Sequence, residues 1–168
     1  MLVPIHQLDD HSKIWIYQAT TALSDDQSAS IRIELLSFLE EWTSHNVQLH
    51  TSGDIFYNRF LVMIVDERYN ATGGCSIDKS IHFIEYLEQK YGISLLDRMH
   101  FSYMPNPETN EVYSASLQDL DELFNSGILK ADTIVFNNLV KSKAEFESKW
   151  KVPLNQSWHK RFLKSSVV

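Results

Sequence analysis

The chain has 168 residues, of which 43% are apolar, 12% aromatic and 22% charged, with a formal net charge of -7. That length holds one domain, or one domain with a small appendage, around a real core, and the profile excludes a disordered chain. An acidic chain whose basic residues cluster no further than WHKRFLK lacks the face that releases counterions from nucleic acid, so no nucleic acid partner is expected.

Elements follow in order. Residues 13–19 (KIWIYQA) alternate as a strand. Ser24 with Gln27 has the form of a capping box, and Ile31, Leu35, Phe38, Leu39 and Trp42 make the apolar face of the helix behind it. VQLHTSGDIFYNRFLVMIVDE reads as two strands meeting at a turn, the second apolar throughout and therefore central. A second helix is expected to begin around Ser76 to Asp78, to turn Ile77, Ile81, Ile84 and Leu87 inward and to stop at Gly92. Residues 99–105 (MHFSYMP) form another strand. The order β-α-β-β-α-β favours an α+β fold, a ferredoxin-like sandwich over residues 1–105. Residues 106–168 add a C-terminal helix-strand-helix extension, expected to pack on the first part as one unit. It holds a helix from Ser116 to the stop at Gly127, the strand TIVFNNLV, a helix capped by Ser142 and Glu145, and an aromatic tail with Trp150 and Trp158.

The lone cysteine, Cys75, forbids an intrachain disulfide. The first residues lack a signal peptide's basic and apolar regions, and no apolar run approaches the ~20 residues of a membrane span. A cytoplasmic protein without membrane insertion is expected.

NATGGCSIDKS, residues 70–80, nearly spells a phosphate-binding loop, with Gly73 as its first glycine and Lys79-Ser80 as its closing pair. FLVMIVDE, residues 60–67, resembles the magnesium-binding strand of the same enzymes. Asp78, however, stands where the second glycine belongs. At ~4 Å and an effective dielectric of ~20, its carboxylate repels a phosphate charge by about 4 kcal/mol, comparable to a whole millimolar complex. The two pieces also occur in reversed order, and no Leu-Ser-Gly-Gly-Gln signature accompanies them. The match reads as coincidence, and ATP is not expected to bind.

The same stretch still offers the sharpest candidate chemistry. Cys75 follows Gly73-Gly74 at a helix start, where free N–H groups favour a thiolate or an oxyanion. His82 lies roughly 10 Å up that helix, so a base would have to be His50, His100 or His159 brought in by the fold. The reading favoured is a small cysteine buried in a tight turn and inert. As a ligand site, Gly73, Gly74, Cys75, Ser76, Asp78 and Ser80 could hold a small anionic or carbonyl ligand, with the default that Ser76 and Ser80 cap the helix. Asp78 and His82, with Glu85 beside them, read as an exposed helix pair rather than metal ligands. The amides of Asn137 and Asn138 could read a polar ligand, although a bulge or turn is the expected use. No cofactor and no metal is implied.

FLVMIVDE, GGCSIDKSIHF, DTIVFNNLV and PLNQSWH together resemble a family of short bacterial proteins often labelled ABC transporter ATPases, a resemblance that implies membership and no activity. Separately, SLQDLDELFNSGILKADTIVF, within residues 116–150, is similar to bacterial GYF-like modules, though the Gly-Tyr-Phe triplet is missing. GYF domains bind proline-rich peptides on aromatic residues, so the similarity implies a peptide partner. The expected function is a non-catalytic binding or adaptor protein using the groove between the two halves. A Cys75-dependent acyl-transfer or hydrolytic enzyme and a nucleotide-binding protein are the alternatives.

Overall fold

The computed structural model describes residues 1–164. It is a mixed α+β protein that divides into two compact units, Met1–Leu96 with Lys141–Glu147, and Asp97–Val140 with the residues from Ser148 onward. Among the described residues no helix is long and apolar enough to cross a membrane.

The first unit opens with β1 (Lys13–Gln18) and α1 (Asp25–Glu41). The capping box is formed: Ser24 Oγ accepts from Gln27 N–H at 3.1 Å, and Gln27 Oε1 accepts from Ser24 N–H at 3.1 Å. Ile31, Leu35 and Leu39 are its buried apolar stripe. A two-residue hairpin, β2 (Thr43–Ser44) and β3 (Val47–Gln48), follows, with His45 and Asn46 both at positive φ, as a type I′ turn demands. β4 (His50–Phe56) and β5 (Phe60–Asp66) form the long hairpin. β5 is buried at every residue and lies between the other two strands in the order β1-β5-β4, antiparallel to both. Gly53 lets α1 approach this sheet, since a Cβ there would meet Val62 O at 2.5 Å and Leu39 Cδ1 at 2.7 Å.

α2 runs Gly74–Tyr91 and ends on Gly92 in the left-handed conformation, φ 62°. It starts earlier than expected from the sequence, and the face it buries is Ser76, Ser80, Ile84 and Leu87. Ile77 is only half-buried and Ile81 is exposed. The Trp42 indole explains the preference: its Nε1–H donates to Ser76 O at 2.9 Å, an approach that small serines permit.

The second unit contains β6 (His100–Met104), β7 (Tyr113–Ser116), α3 (Leu120–Asn125) and β8 (Ile134–Phe136). α4 (Lys143–Lys149) and β9 (Lys151–Pro153) follow. Its sheet has the order β7-β6-β8-β9 and covers a core of Phe101, Leu117, Leu120, Leu129, Val135 and Leu154. β6 therefore does not complete the sheet of β1, β4 and β5, as a ferredoxin-like order over residues 1–105 required. It pairs with β7 and β8 instead, and each of those pairings answers backbone groups that β1's edge could satisfy only once. That edge is taken by Lys141–Glu147, which returns to the first unit: Ile14 N–H donates to Lys141 O at 3.2 Å, and Lys143 N–H donates to Ser12 O at 2.9 Å. Lys143, nearly buried, sends its ammonium to Asp10 Oδ1 at 3.1 Å and Glu147 Oε1 at 3.5 Å.

Candidate functional site

At the loop before α2, Gly73 is the extended residue at the helix start, with φ -106° and ψ 176°. Ser76, buried, bends back onto it: its Oγ accepts from Gly73 N–H and donates to Gly73 O, both at 2.8 Å. The amides of Ser76 and Ile77 both donate to Gly73 O, at 3.1 and 3.0 Å, and Thr72 N–H donates to Glu67 Oε1 at 2.9 Å. Ser80, also buried, donates to Ile77 O at 2.6 Å. The hydroxyls of Ser76 and Ser80 are thus engaged in holding the helix, and Asp78 is exposed. Gly74 and Cys75 occupy the first helical turn, where an amide has no intrahelical acceptor.

Cys75 is exposed rather than buried, which corrects the expectation of a packed thiol. The early helix start is the reason: with Ser76 and Ser80 turned to the core, the residue before Ser76 faces outward. Of the histidines considered as its base, His50 stacks on Tyr69 with ring centroids 4.1 Å apart, His100 lies 3.0 Å from Asp97 Oδ2 and His159 pairs with Ser157. The fold brings His45, which the sequence reading passed over, to within 3.4 Å of where a Cβ on Gly73 would stand. The His-Asn pair at 45–46 was its signal, as the two residues of a tight hairpin turn.

The carboxylates that end FLVMIVDE are held by protein groups. Asp66, 1% exposed, accepts from Arg68 Nη2 at 2.6 Å and Nε at 2.9 Å, and from Asp9 N–H at 3.3 Å. Arg68's hydrogen bonds hold its pKa below the ordinary carboxylate range. Glu67 takes both the amide and the hydroxyl of Thr72. His82 and Glu85 are exposed on α2, and among the described residues no three His, Cys, Asp or Glu stand close enough to hold a metal.

Asn137 and Asn138 belong to the second unit and lie just past β8, ending a strand expected to run further. Asn137 Oδ1 accepts from Trp158 Nε1–H at 3.1 Å and from Leu139 N–H at 3.1 Å. Asn138 Oδ1 accepts from Trp150 Nε1–H at 2.9 Å. Trp150 is buried and Trp158 half-buried, so these tryptophans are packed, with the two amides as their polar partners. Beside them His159, 1% exposed, pairs through Nδ1 with Ser157 Oγ at 2.6 Å and stacks on Trp158 at 3.8 Å. Burial pushes its pKa down to about 4.

The same unit presents an open groove of about 410 Å³. Tyr103 on β6 and Tyr113 on β7 are partners in register, with ring centroids 5.9 Å apart and planes 27° from parallel. Tyr103 is nearly buried and burial raises its phenol pKa, while Tyr113 is 49% exposed. Pro105 and Ile128 extend this apolar wall, and Asn106, Thr109 and Glu111 form its polar side. The turn between the strands is tied by Asn106: its Oδ1 accepts from Glu108 N–H at 3.0 Å and its backbone O from Thr109 N–H at 3.2 Å. Neither tyrosine stood out in the sequence, since two strand aromatics ten residues apart meet only through the register.

No family model matches the chain, and no curated protein or solved structure matches it either.

Proposed function

We propose that the chain is a non-catalytic binding protein whose second unit takes an extended, proline-bearing peptide on the Tyr103–Tyr113 groove. The observation that carries this is the pair of stacked tyrosines, in register across β6 and β7 and continued by Pro105 and Ile128. Extended proline segments are already ordered before they bind, and they dock in aromatic-lined grooves through flat ring contacts. The similarity of residues 116–150 to GYF-like modules points the same way. With no Gly-Tyr-Phe triplet, this chain draws its aromatic wall from the neighbouring strands. The sheet order β1-β5-β4, with β1 and β4 running alike on either side of β5, supports reading the first unit as an incomplete ferredoxin-like sandwich. Membership of the short bacterial family named above is part of the same proposal.

The test is titration of a fluorescent proline-rich peptide against the protein and against Tyr113→Ala. Binding that weakens at least about tenfold on losing the exposed ring is expected of a central aromatic contact. No saturation below about a millimolar, or equal affinity for both proteins, overturns the proposal.

A second reading keeps a specific observation of its own: an exposed thiol in the first turn of α2, with the His45 imidazole against Gly73. That is the arrangement a Cys75-dependent enzyme builds on. Nucleotide binding has no comparable support, because Asp66 and Glu67 already serve Arg68 and Thr72.

A further inference from the structure

Glu111 is the single charged side chain among the residues lining the groove. Its carboxylate is placed by the tied turn and by the Tyr113 hydroxyl, which donates to its Oε2 at 3.5 Å. It is not alone in sign. The stretch Met99–Leu129, bounded by Arg98 and Lys130, supplies every residue of the groove and also carries Glu108, Asp119, Asp121 and Glu122, with no Lys or Arg between those bounds. Like-signed carboxylates on one stretch attract a cation and repel an anion before any contact is made.

We infer that the peptide taken by this groove carries an arginine beside its proline, paired with Glu111. This rests on the peptide-binding reading above and specifies the ligand for the same site. Proline supplies the flat apolar contact on Tyr103 and Tyr113, and the neighbouring side chain reaches the polar side of the groove. Arginine suits that place better than lysine. Its planar guanidinium can pair with the carboxylate and lie over the exposed Tyr113 ring at once, whereas an ammonium is a strongly hydrated point charge. An acidic side chain at the same place meets Glu111 head on and is rejected.

Four peptides test this by fluorescence anisotropy at low salt: a triproline followed by Arg, by Gln or by Glu, and a trialanine followed by Arg. The Arg peptide is expected to bind about three- to fivefold tighter than the Gln peptide, the range of an exposed ion pair, and the Glu peptide weakest of the proline set. Raising salt should erase the difference, because the screening length shrinks to about 3 Å at 1 M. Glu111→Gln, an exposed substitution, should remove the preference for Arg over Gln. Equal affinity of all three proline peptides overturns the inference but leaves peptide binding standing. A preference for Arg that survives Glu111→Gln also overturns it, by taking the role from this residue. A trialanine peptide as tight as the triproline one overturns the underlying reading instead.

Discussion

The two units differ in whether their buried polar side chains include charged ones. In the first unit they include ion pairs beside its neutral serines: Asp66 is gripped by Arg68, and Lys143 by Asp10 and Glu147. In the second they are neutral and answer one another: His159 with Ser157, Ser102 with Ser114 at 2.9 Å, and the indoles of Trp150 and Trp158 with Asn138 and Asn137. An ion pair lasts while its carboxylate stays ionised, whereas a buried neutral histidine is an asset only while the unfolded chain does not gain by protonating it. The units therefore answer acid in different windows.

The largest effect expected from this contrast is in the second unit. His159 has a folded pKa near 4, against an ordinary value of 6.5. Between those values the unfolded chain binds a proton that the fold refuses, so stability falls as pH drops from 6.5 and the loss is complete by about 4. A shift of that size corresponds to about 3 kcal/mol. Asp66 has a depressed folded pKa, so its contribution stands above the ordinary carboxylate range and goes only as pH falls through that lower value. Amide exchange at pH 7, 5.5 and 4.5 should show β6 and β8 losing protection while β5 holds. Equal slopes in the two sheets would break the contrast, and His159→Gln should flatten the slope of the second.

A smaller effect compares two glycines of the first unit. Alanine at Gly53 puts a methyl 2.5 Å from a backbone oxygen of β5, which the packed sheet cannot yield without shifting, at a cost of about 2 kcal/mol. Alanine at Gly74 meets nothing within 4 Å and sits in the first turn of α2, so it should stabilise by roughly 0.5 kcal/mol through the unfolded chain. Chemical denaturation of the two variants measures both. A neutral Gly53→Ala would show that α1 does not depend on that close approach.

These positions also show what was legible in the sequence. The Ser24 capping box, the apolar run of β5 and the stop at Gly92 are local signals, written in adjacent residues, and each was read correctly. The start of α2 was not. Gly73-Gly74 looks like loop, and Ile77, Ile81, Ile84 and Leu87 form a plausible stripe, but a tryptophan from the end of α1 selects Ser76 and Ser80 for the inner face. The partner of β6 was equally hidden, because strand adjacency depends on residues far along the chain. For the same reason the groove could not be foreseen: Tyr103 and Tyr113 become one surface through the β6–β7 register alone. The polar residues that looked chemical spend their side-chain atoms within the fold: Ser76 on the start of α2, Ser80 on Ile77 O, and Asn137 and Asn138 on indoles rather than on a bulge.

The smallest expected effect separates the binding protein from the enzyme. Cys75 is exposed, and the His45 imidazole on the β2–β3 turn lies against Gly73, two residues before it. A nucleophilic thiol is held as a thiolate by such a neighbour and by the amides of the first helical turn, and it reacts far faster than the same cysteine in an unfolded chain. A bystander thiol has access but no activation. For the non-catalytic protein proposed above, iodoacetamide at pH 7 should label native and unfolded Cys75 at rates within about threefold of each other. His45→Ala should change neither, since the imidazole then does nothing but fill space beside a glycine. Native labelling much faster than unfolded, and slowed by His45→Ala, would transfer the functional assignment from the tyrosine groove to the first turn of α2.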